Sequence, residues 1–503
     1  MKIFSTSSVA KIDSLTSIYE PISSVDLMER ASLRITEALI AHYPHCCKFA
    51  VFAGTGNNGG DGLVVARLLF KREYNVKIFM VDSSAKLSFC CQKAMERLRT
   101  ETTVSVATVE DCRQQGLSPD TVIVDALFGS GLNRPLTDAA ADTVKFINSL
   151  SLPIAAIDTP SGLMGEDNTN IDKESVVRAN VTFSLQFPKL SMLFADNAPF
   201  VGTLKVLDIG LSSRAMDEVE HLTHIMDKSE VAALVTPRNR HSHKGDYGRA
   251  LLIAGSQGMA GASVLAAKGV LRSGVGLLTV HIPRCNNIIL QTAVPEAMTS
   301  IDFCETHFSA APIMERYSAV GVGPGLGTSY MTSGALLQLI DKCTVPMVVD
   351  ADALNILAFH PDWFKKLPAG SIITPHPGEF TRIIGDTSSD YETLQKAISF
   401  ARDNTLCVVL KGAYTSIIAP SGEYCFNTAG NAGMATGGCG DVLTGIILAL
   451  LARGYNAYDA ARLGVYIHAS AGDNAADILG ETAMVAGDII DYLPSAWITL
   501  EKS

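Results

Sequence analysis

Residues Phe49 to Phe70 read FAVFAGTGNNGGDGLVVARLLF. The apolar run Phe49 to Ala53 suits a strand buried on both faces, and LVVARLLF carries the apolar spacing of a helix. Between them, Gly54 to Gly62 supplies a glycine-rich turn into the helix N-terminus, where backbone N–H groups converge on an anion. Glycine is also selected where a helix packs closely on a strand, so a bare G-x-G decides little between packing and ligand binding. The fuller NNGGDG is much more specific.

Outward from this unit, Val76 to Val81, Thr121 to Asp125 and Ile154 to Asp158 read as further buried parallel strands separated by helical patterns, which predicts a doubly wound sheet. Thr203 to Ile209 is its expected last strand, and the polar stretch Ser212 to Glu230, without a strand run, is the expected linker. A second alternating series follows: Ala250 to Ala254, Leu277 to Ile282, Ala319 to Val322, Met347 to Asp350, Ser371 to Thr374 and Cys407 to Leu410. Ser416 to Ile418 and Glu423 to Phe426, joined by APSG, form an expected hairpin, and Val442 to Arg453 an apolar helix. At 503 residues the chain exceeds what one core supports, so two α/β domains are expected.

A composition of 47% hydrophobic and 18% charged residues argues against disorder, and a formal charge of -11 leaves no global field for nucleic acid. The 11 Cys include no C-x-x-C, and the adjacent pairs Cys46-Cys47 and Cys90-Cys91 suit neither disulfides nor zinc, so reduced thiols in a cytoplasmic protein are expected. The N-terminus lacks the pattern of a secretory signal. Ile446 to Ala452, the longest apolar stretch, is well short of the roughly 20 residues that span a bilayer. No membrane segment is expected.

Two further strand ends deliver carboxylates to the edge where ligands of open α/β sheets gather: Asp125 in VDALFGSG and Asp158 in IDTPSG. Each acid alone would serve as a helix cap. Together with Asn58 and Ser161 they form an all-oxygen set suited to a hard cation, so Asn58, Asp125 and Ser161 are candidate ligands for K+ or another alkali ion. In the second half the densest signal is Asn427 to Asp441, NTAGNAGMATGGCGD. Gly437, Gly438 and Gly440 expose N–H groups to a transferring phosphoryl group, with Asp441 as base for the attacking hydroxyl or, more simply, as an N-cap. Lys411-Gly412-Ala413-Tyr414-Thr415 and Gly321 to Gly327 offer further phosphate-side turns at strand ends, and His376, between prolines, is assigned to substrate contact.

Across roughly residues 1 to 212 the chain resembles the YjeF N-terminal family, the NAD(P)H-hydrate epimerases. The resemblance rests on Asp13 in KIDSLT, LMERA (Leu27 to Ala31), GTGNNGGDG, VDALFGSGLNRP and DTPSGL. It implies a Rossmann-like sheet with a dinucleotide site lined by Asn57, Asn58, Gly59, Gly60 and Asp61 and by Gly129, Ser130, Gly131, Leu132, Asn133, Arg134 and Pro135. Asp158 would contact the hydrated nicotinamide and is the candidate acid–base group. Thr159 stands where the family usually has an aliphatic residue.

Across roughly residues 224 to 503 the chain resembles the ribokinase-like superfamily, and more closely its NAD(P)H-hydrate dehydratase branch. HKGDYGRALLIAGS, GMAGASVLAA, GVGPGLG, VVDADALN, TPHPGEF, KGAYT and GGCGD carry this likeness. It implies hydrate contacts at Ala262, Gly325, His376 and Asp441, nucleotide contacts at Lys411, Gly412, Ala413, Tyr414, Thr415 and Gly440, and Mg2+ with ADP or ATP as co-substrate. The fused arrangement is similar to the bacterial and archaeal one, which points to ADP.

The expected activity is therefore repair of hydrated NADH and NADPH. The first domain interconverts the R and S hydrates, and the second phosphorylates the S hydrate at its C6 hydroxyl so that phosphate can leave. Small-molecule partners and a homo-oligomer are expected. Two other readings stay open: a ribokinase-like small-molecule kinase that releases its phosphoester, and an N-terminal domain that binds nucleotide without catalysis.

Overall fold

The structure is a computed structural model and describes residues 1–44, 47–81 and 86–502. Cys46, one of the cysteines singled out above, lies outside the described residues. The chain divides into two compact units, Met1–Thr223 with Ser388–Glu392, and His224–Thr387 with Thr393–Ser503.

In the N-terminal unit seven parallel strands run in the spatial order Val106–Thr108, Val76–Met80, Lys48–Ala53, Thr121–Ala126, Ile154–Ile157, Val181–Leu185, Thr203–Leu207. Chain order reverses at Lys48–Ala53, which pairs with Val76–Met80 on one side and Thr121–Ala126 on the other. This is the switch point at which doubly wound sheets open a crevice. Alternation along the strand feeds two cores: Phe49, Val51 and Ala53 pack on one face, Ala50 and Phe52 on the other.

Two strands of this sheet lie outside the expected set. Val181–Leu185 escaped notice because Thr182 and Ser184 interrupt its apolar run. Both are buried, and their hydroxyls bond the carbonyls of Val201 and Phe187, each at 2.7 Å. Val106–Thr108 is a short outer strand, half-buried and too brief to show a period. The strand expected to reach Asp158 stops at Ile157, since Asp158 turns into the left-handed region at φ 62.

The stretch Ser212 to Glu230 is not the strandless linker expected from its polarity. It holds the helix Ser213–Glu218, the strand Thr223–Ile225 and the helix Lys228–Ala232. His224 and Ile225 pair in parallel with Cys425 and Phe426, a register that three residues cannot announce.

In the C-terminal unit the sheet runs Thr223–Ile225, Tyr424–Asn427, Thr415–Ile418, Cys407–Leu410, Ile372–Ile373, Met347–Val349, Ala319–Val322, Arg249–Ile253, Leu277–Ile282, Met298–Ile301. It is parallel apart from the hairpin Thr415–Ile418/Tyr424–Asn427 and the pairing of its first strand with Cys407–Leu410. Met298–Ile301, outermost and half-exposed, was not legible as a strand.

The helix Cys439–Ala452 is buried almost all round and lies against Ala260–Arg272. Glycine permits this: a side chain at Gly445 would overlap the Ala266 carbonyl, and one at Gly269 would meet the Val442 carbonyl at 2.7 Å. The helix begins three residues before the expected Val442, because Gly438 caps it in the left-handed conformation (φ 97). Asp441 therefore sits inside the first helical turn and is not the N-cap.

Candidate active sites

The N-terminal cleft, about 1080 Å³, opens at the switch point. The helix Asn57–Phe70 starts beneath it with Gly56 as N-cap and no side-chain cap, leaving its first N–H groups free of side-chain acceptors. Asn57, Asn58 and Asp61 face the cleft, as do Gly129 to Arg134. Gly59 and Gly60 are buried behind it, Gly60 against Met28 and Cys91, while Pro135 is exposed outside its lining. The glycines divide by role: Gly54 and Gly59 allow backbone to meet backbone, whereas a side chain at Gly56 or Gly131 would point into open space.

Asp158 organises the cleft. Its Oδ2 accepts from Ser130 N at 3.0 Å, pinning the Gly129–Pro135 loop, and its Oδ1 accepts from Leu185 N at 3.3 Å and from the Lys189 ammonium. Both side chains of this pair are buried, with 9% and 4% exposure. Burial alone would raise Asp158, but Lys189 and the Ser130 bonds outweigh it and hold the carboxyl below its usual value. A non-glycine residue at positive φ is also a local strain of the kind stored at functional sites.

Two neighbouring carboxyls go the other way. Asp13, on the helix Thr6–Tyr19, lines the same cleft; burial and the Asp158 charge push it up to about 6, partly opposed by Lys189. Asp61 is raised well above the normal range by burial, although Ser32 Oγ donates to its Oδ1 at 3.1 Å.

Of the three expected cation ligands, Asp125 and Ser161 are joined directly. Ser161 Oγ donates to Asp125 Oδ1 at 2.6 Å and Ser161 N to Oδ2 at 2.8 Å. Asn58 lies against Gly129 in the adjoining loop, and its amide nitrogen is buried with no hydrogen-bond partner among the described residues. Asp125 is fully buried and pushed up to about 6 by burial despite these bonds. No lysine or arginine bonds it among the described residues.

In the C-terminal unit, the first turn of Cys439–Ala452 faces the end of Cys407–Leu410. Lys411, which leaves that strand, places its ammonium 2.9 Å from Asp350 Oδ1 and 3.8 Å from Glu379 Oε2. Asp350, 1% exposed, also accepts from Thr444 Oγ1 at 2.6 Å. A side chain at Gly440 would sit in van der Waals contact with the Lys411 ammonium and Asp350, at 3.5 and 3.8 Å, so glycine keeps the approach to this pair unobstructed. Burial and repulsion from Asp350 push Asp441 up to about 7, with Lys411 opposing and Asp352 adding to the rise. The neighbouring carboxylates outweigh burial at Lys411 and raise it. Asp441 thus titrates where a general base is most effective at neutral pH.

The other expected residues gather around this turn. Lys411 N donates to Pro375 O at 2.9 Å, tying the KGAYT turn to the His376 loop. His376 caps the helix Pro377–Ile384, its Nδ1 accepting from Gly378 N and Glu379 N at 3.1 and 3.3 Å, and remains half-exposed. Gly325 (φ 58) and Ala262 are neighbours, 3.0 Å separating the Ala262 methyl from a side chain built at Gly325. Thr415 Oγ1 closes the turn on Gly412 O at 3.2 Å, leaving Gly412 and Ala413 exposed and Tyr414 half-buried.

Sequence reasoning missed Lys189 and Asp350 as functional groups. Asp350 stands at a strand end inside VVDADALN, a position that signals a ligand-side acid. Lys189, in FPKLSM, carries no motif spacing, and only the fold brings it to Asp158.

Comparison with known proteins agrees with this division. The family described as YjeF-related protein N-terminus matches residues 24–191, and that described as NAD(P)H-hydrate dehydratase matches residues 250–495. The bifunctional NAD(P)H-hydrate repair enzyme Nnr of Moorella thermoacetica is 35% identical over 520 aligned residues, spanning 100% of this chain and 98% of that one. The Escherichia coli enzyme of the same name is 35% identical over 474 residues, with 93% and 88% covered. Among solved structures, the ADP/ATP-dependent NAD(P)H-hydrate dehydratase of Bacillus subtilis, co-crystallised with ATP/Mg2+, is similar at TM-score 0.50 and 32% identity over 56% of this chain and 99% of that one. On its fold, its two carboxylate-centred sites and this end-to-end similarity, the chain belongs to the family of bifunctional NAD(P)H-hydrate repair enzymes.

Proposed function

We propose that this chain repairs hydrated NADH and NADPH: residues 1–212 epimerise the R and S hydrates, and residues 224–503 dehydrate the S hydrate at the expense of ADP or ATP. The observation that carries the reading is the carboxyl of Asp441, held near neutrality at an open glycine helix N-terminus beside the Lys411–Asp350 pair. A base poised there removes the proton of the C6 hydroxyl, whose oxygen attacks the terminal phosphoryl of the nucleotide. Gly437, Gly438 and Gly440 offer N–H groups, and Lys411 its charge, to the phosphoryl oxygens. Electrons from the ring nitrogen then expel phosphate, and loss of a proton from C5 restores the dihydronicotinamide. ADP, the favoured donor, gives AMP and phosphate.

Ala262, Gly325 and His376 orient the hydrate, and Lys411 to Thr415 with Gly440 hold the nucleotide. Mg2+ brought with the nucleotide would screen its phosphates.

In the first domain, Asn57, Asn58, Asp61 and Gly129 to Arg134 enclose the dinucleotide, with Gly59 and Gly60 backing the turn, and Asp158 faces the hydrated ring as an ionised carboxylate. Asn58, Asp125 and Ser161 fit K+: a buried carboxylate with no countercharge bonded to it among the described residues, a hydroxyl oxygen and a neighbouring amide oxygen make an oxygen-rich set for a hard monovalent ion. An alkali ion held by these residues would supply a countercharge to Asp125.

The ten described cysteines are all free, which supports a reducing, cytoplasmic setting, and no helix among the described residues is long and apolar enough to cross a membrane. Assembly as a homo-oligomer is part of the proposal, supported by exposed Ile288 and Phe303 beside the outer strand Met298–Ile301.

The test is incubation of mixed R and S hydrate with ADP or ATP. Wild type should consume both epimers and release one phosphate per dihydronicotinamide restored. Asp441→Ala should leave both hydrates in place while still interconverting them. A stable phosphoester product, or near-normal turnover by Asp441→Ala, refutes the reading.

A further inference from the structure

We infer that Asp13 is a second catalytic carboxyl of the N-terminal cleft, the acid that carries the proton to and from the C6 hydroxyl while Asp158 remains an anion. The inference rests on the epimerase reading of this domain and adds to it a division of labour.

Epimerisation through loss of the hydroxyl needs two opposite things at one carbon. A proton must reach the departing oxygen, and a negative charge must stabilise the cation left on the ring. Asp158 fits only the second need, because Lys189 and the Ser130 N–H are bonded to it and favour its charged form. Asp13 fits the first. It lines the same cleft, the Lys189 ammonium is bonded to Asp158, and burial with the Asp158 charge favours its protonated form, Lys189 opposing only in part. Environments that drive two carboxyls of one site in opposite directions mark acid and base.

The groups around Asp13 bear this out from each side. Burial and the Asp158 charge act to keep it protonated and Lys189 acts against them, while Asp13 in turn helps to raise Asp61 of the helix Asn57–Phe70. Asp61 is the weaker candidate, being 8% exposed and bonded to Ser32. At the cleft rim, Glu166 is held by the Thr6 N–H and hydroxyl at 2.7 and 3.1 Å, while Arg134 and Asp167 line the opening. On the outer side, Arg214 and Glu218 of the helix Ser213–Glu218 are occupied with each other and with Tyr19.

The step balances as follows. Asp13 gives its proton to the C6 hydroxyl oxygen. The C6–O bond breaks with its electron pair, releasing water, and the ring nitrogen lone pair forms the C6–N double bond of an iminium beside the Asp158 carboxylate. Water then adds to the opposite face of C6, and the proton it loses returns to Asp13.

The experiment follows R-to-S conversion by the full-length protein, with the uncatalysed rate subtracted. In wild type, kcat/KM should fall about tenfold per pH unit above about pH 6, where Asp13 loses its proton. Asp13→Asn should lower kcat by about 100-fold or more with little change in KM, abolish that pH limb, and leave S-hydrate dehydration intact as the control for folding. Asp13→Glu should recover part of the rate and the limb. An Asp13→Asn protein that keeps the rate within about threefold or retains the limb overturns the inference, as does a wild-type profile flat across about pH 5 to 8. Wild-type protein that leaves the R hydrate unchanged would overturn the epimerase reading itself.

Discussion

Replacing Asp350 by Asn should move the pH midpoint of dehydration downward by one to two units. Asp350 raises Asp441 by repulsion and keeps the Lys411 ammonium 2.9 Å from its own Oδ1. Its Oδ2 lies 3.8 Å from where a side chain at Gly440, the residue before Asp441, would begin. For charges about 7 Å apart at an effective dielectric of about 20 to 40, the repulsion is about 1.2 to 2.4 kcal/mol, or about 1 to 2 pH units. Lys411, released, turns more of its charge toward Asp441 and adds to the fall. The sign is fixed by the chemistry: Asp441 must be ionised to take a proton, so activity is lost as pH falls through its pKa, about 7 in wild type. The midpoint should drop to about 5 to 6, with a plateau up to about tenfold lower because the base is weaker. The assay is recovery of dihydronicotinamide absorbance from purified S hydrate at saturating nucleotide, between about pH 5 and about pH 9. The Asn amide has one oxygen for the two donors Thr444 Oγ1 and Lys411, so the variant should also melt below wild type, and the profile is taken at a temperature where it is folded. A midpoint within about 0.3 units of wild type, or one that rises, refutes the account of how Asp441 is tuned.

Lys189→Met leaves Asp158 as a buried carboxylate without its cation. It should cost about 3 to 5 kcal/mol, read as a fall in the melting transition of the N-terminal unit, and should raise Asp158 and suppress epimerisation. Wild-type melting would show that the pair contributes nothing. Exchange of K+ for tetramethylammonium should slow epimerisation and spare dehydration. Because a bound cation favours ionised Asp125, K+ affinity should weaken as pH falls through about 6. Equal epimerisation rates in the two salts would dismiss the Asn58, Asp125 and Ser161 site.

The strand–glycine–helix unit at Phe49 to Phe70 was legible because its physics is local: a strand buried on both faces must be apolar throughout, and a tight turn onto a helix must be glycine. The same logic exposed GGCGD and placed Asp125, Asp158 and Asp441 at sheet edges. What stayed hidden was non-local. Val181–Leu185 hides its strand behind two hydroxyls whose acceptors lie elsewhere in the fold. Thr223–Ile225 becomes a strand only because residues two hundred positions later receive it. Lys189 and Asp350 tune the two sites through contacts 31 and 61 residues away in sequence, which no motif spacing encodes.

Those two contacts give the units a common design with opposite outputs. In each, a lysine bonds one buried carboxylate, Asp158 or Asp350, and burial together with that charge raises a second carboxyl at the site, Asp13 or Asp441. The chemistry then decides which form is useful. Departure of a hydroxyl needs the raised carboxyl protonated, so epimerisation should weaken above about pH 6; attack on a phosphoryl group needs it ionised, so dehydration should weaken below about pH 7. Both steps work together only across the narrow interval where the two limbs overlap, and there neither carboxyl is wholly in its working form. Combined repair of the R hydrate should therefore follow a bell-shaped pH profile whose acid limb shifts with Asp350→Asn and whose alkaline limb shifts with Asp13→Glu. That independence follows if each limb is set by its own lysine-bound carboxylate, and a single substitution that displaced both limbs would show that one group governs the two reactions.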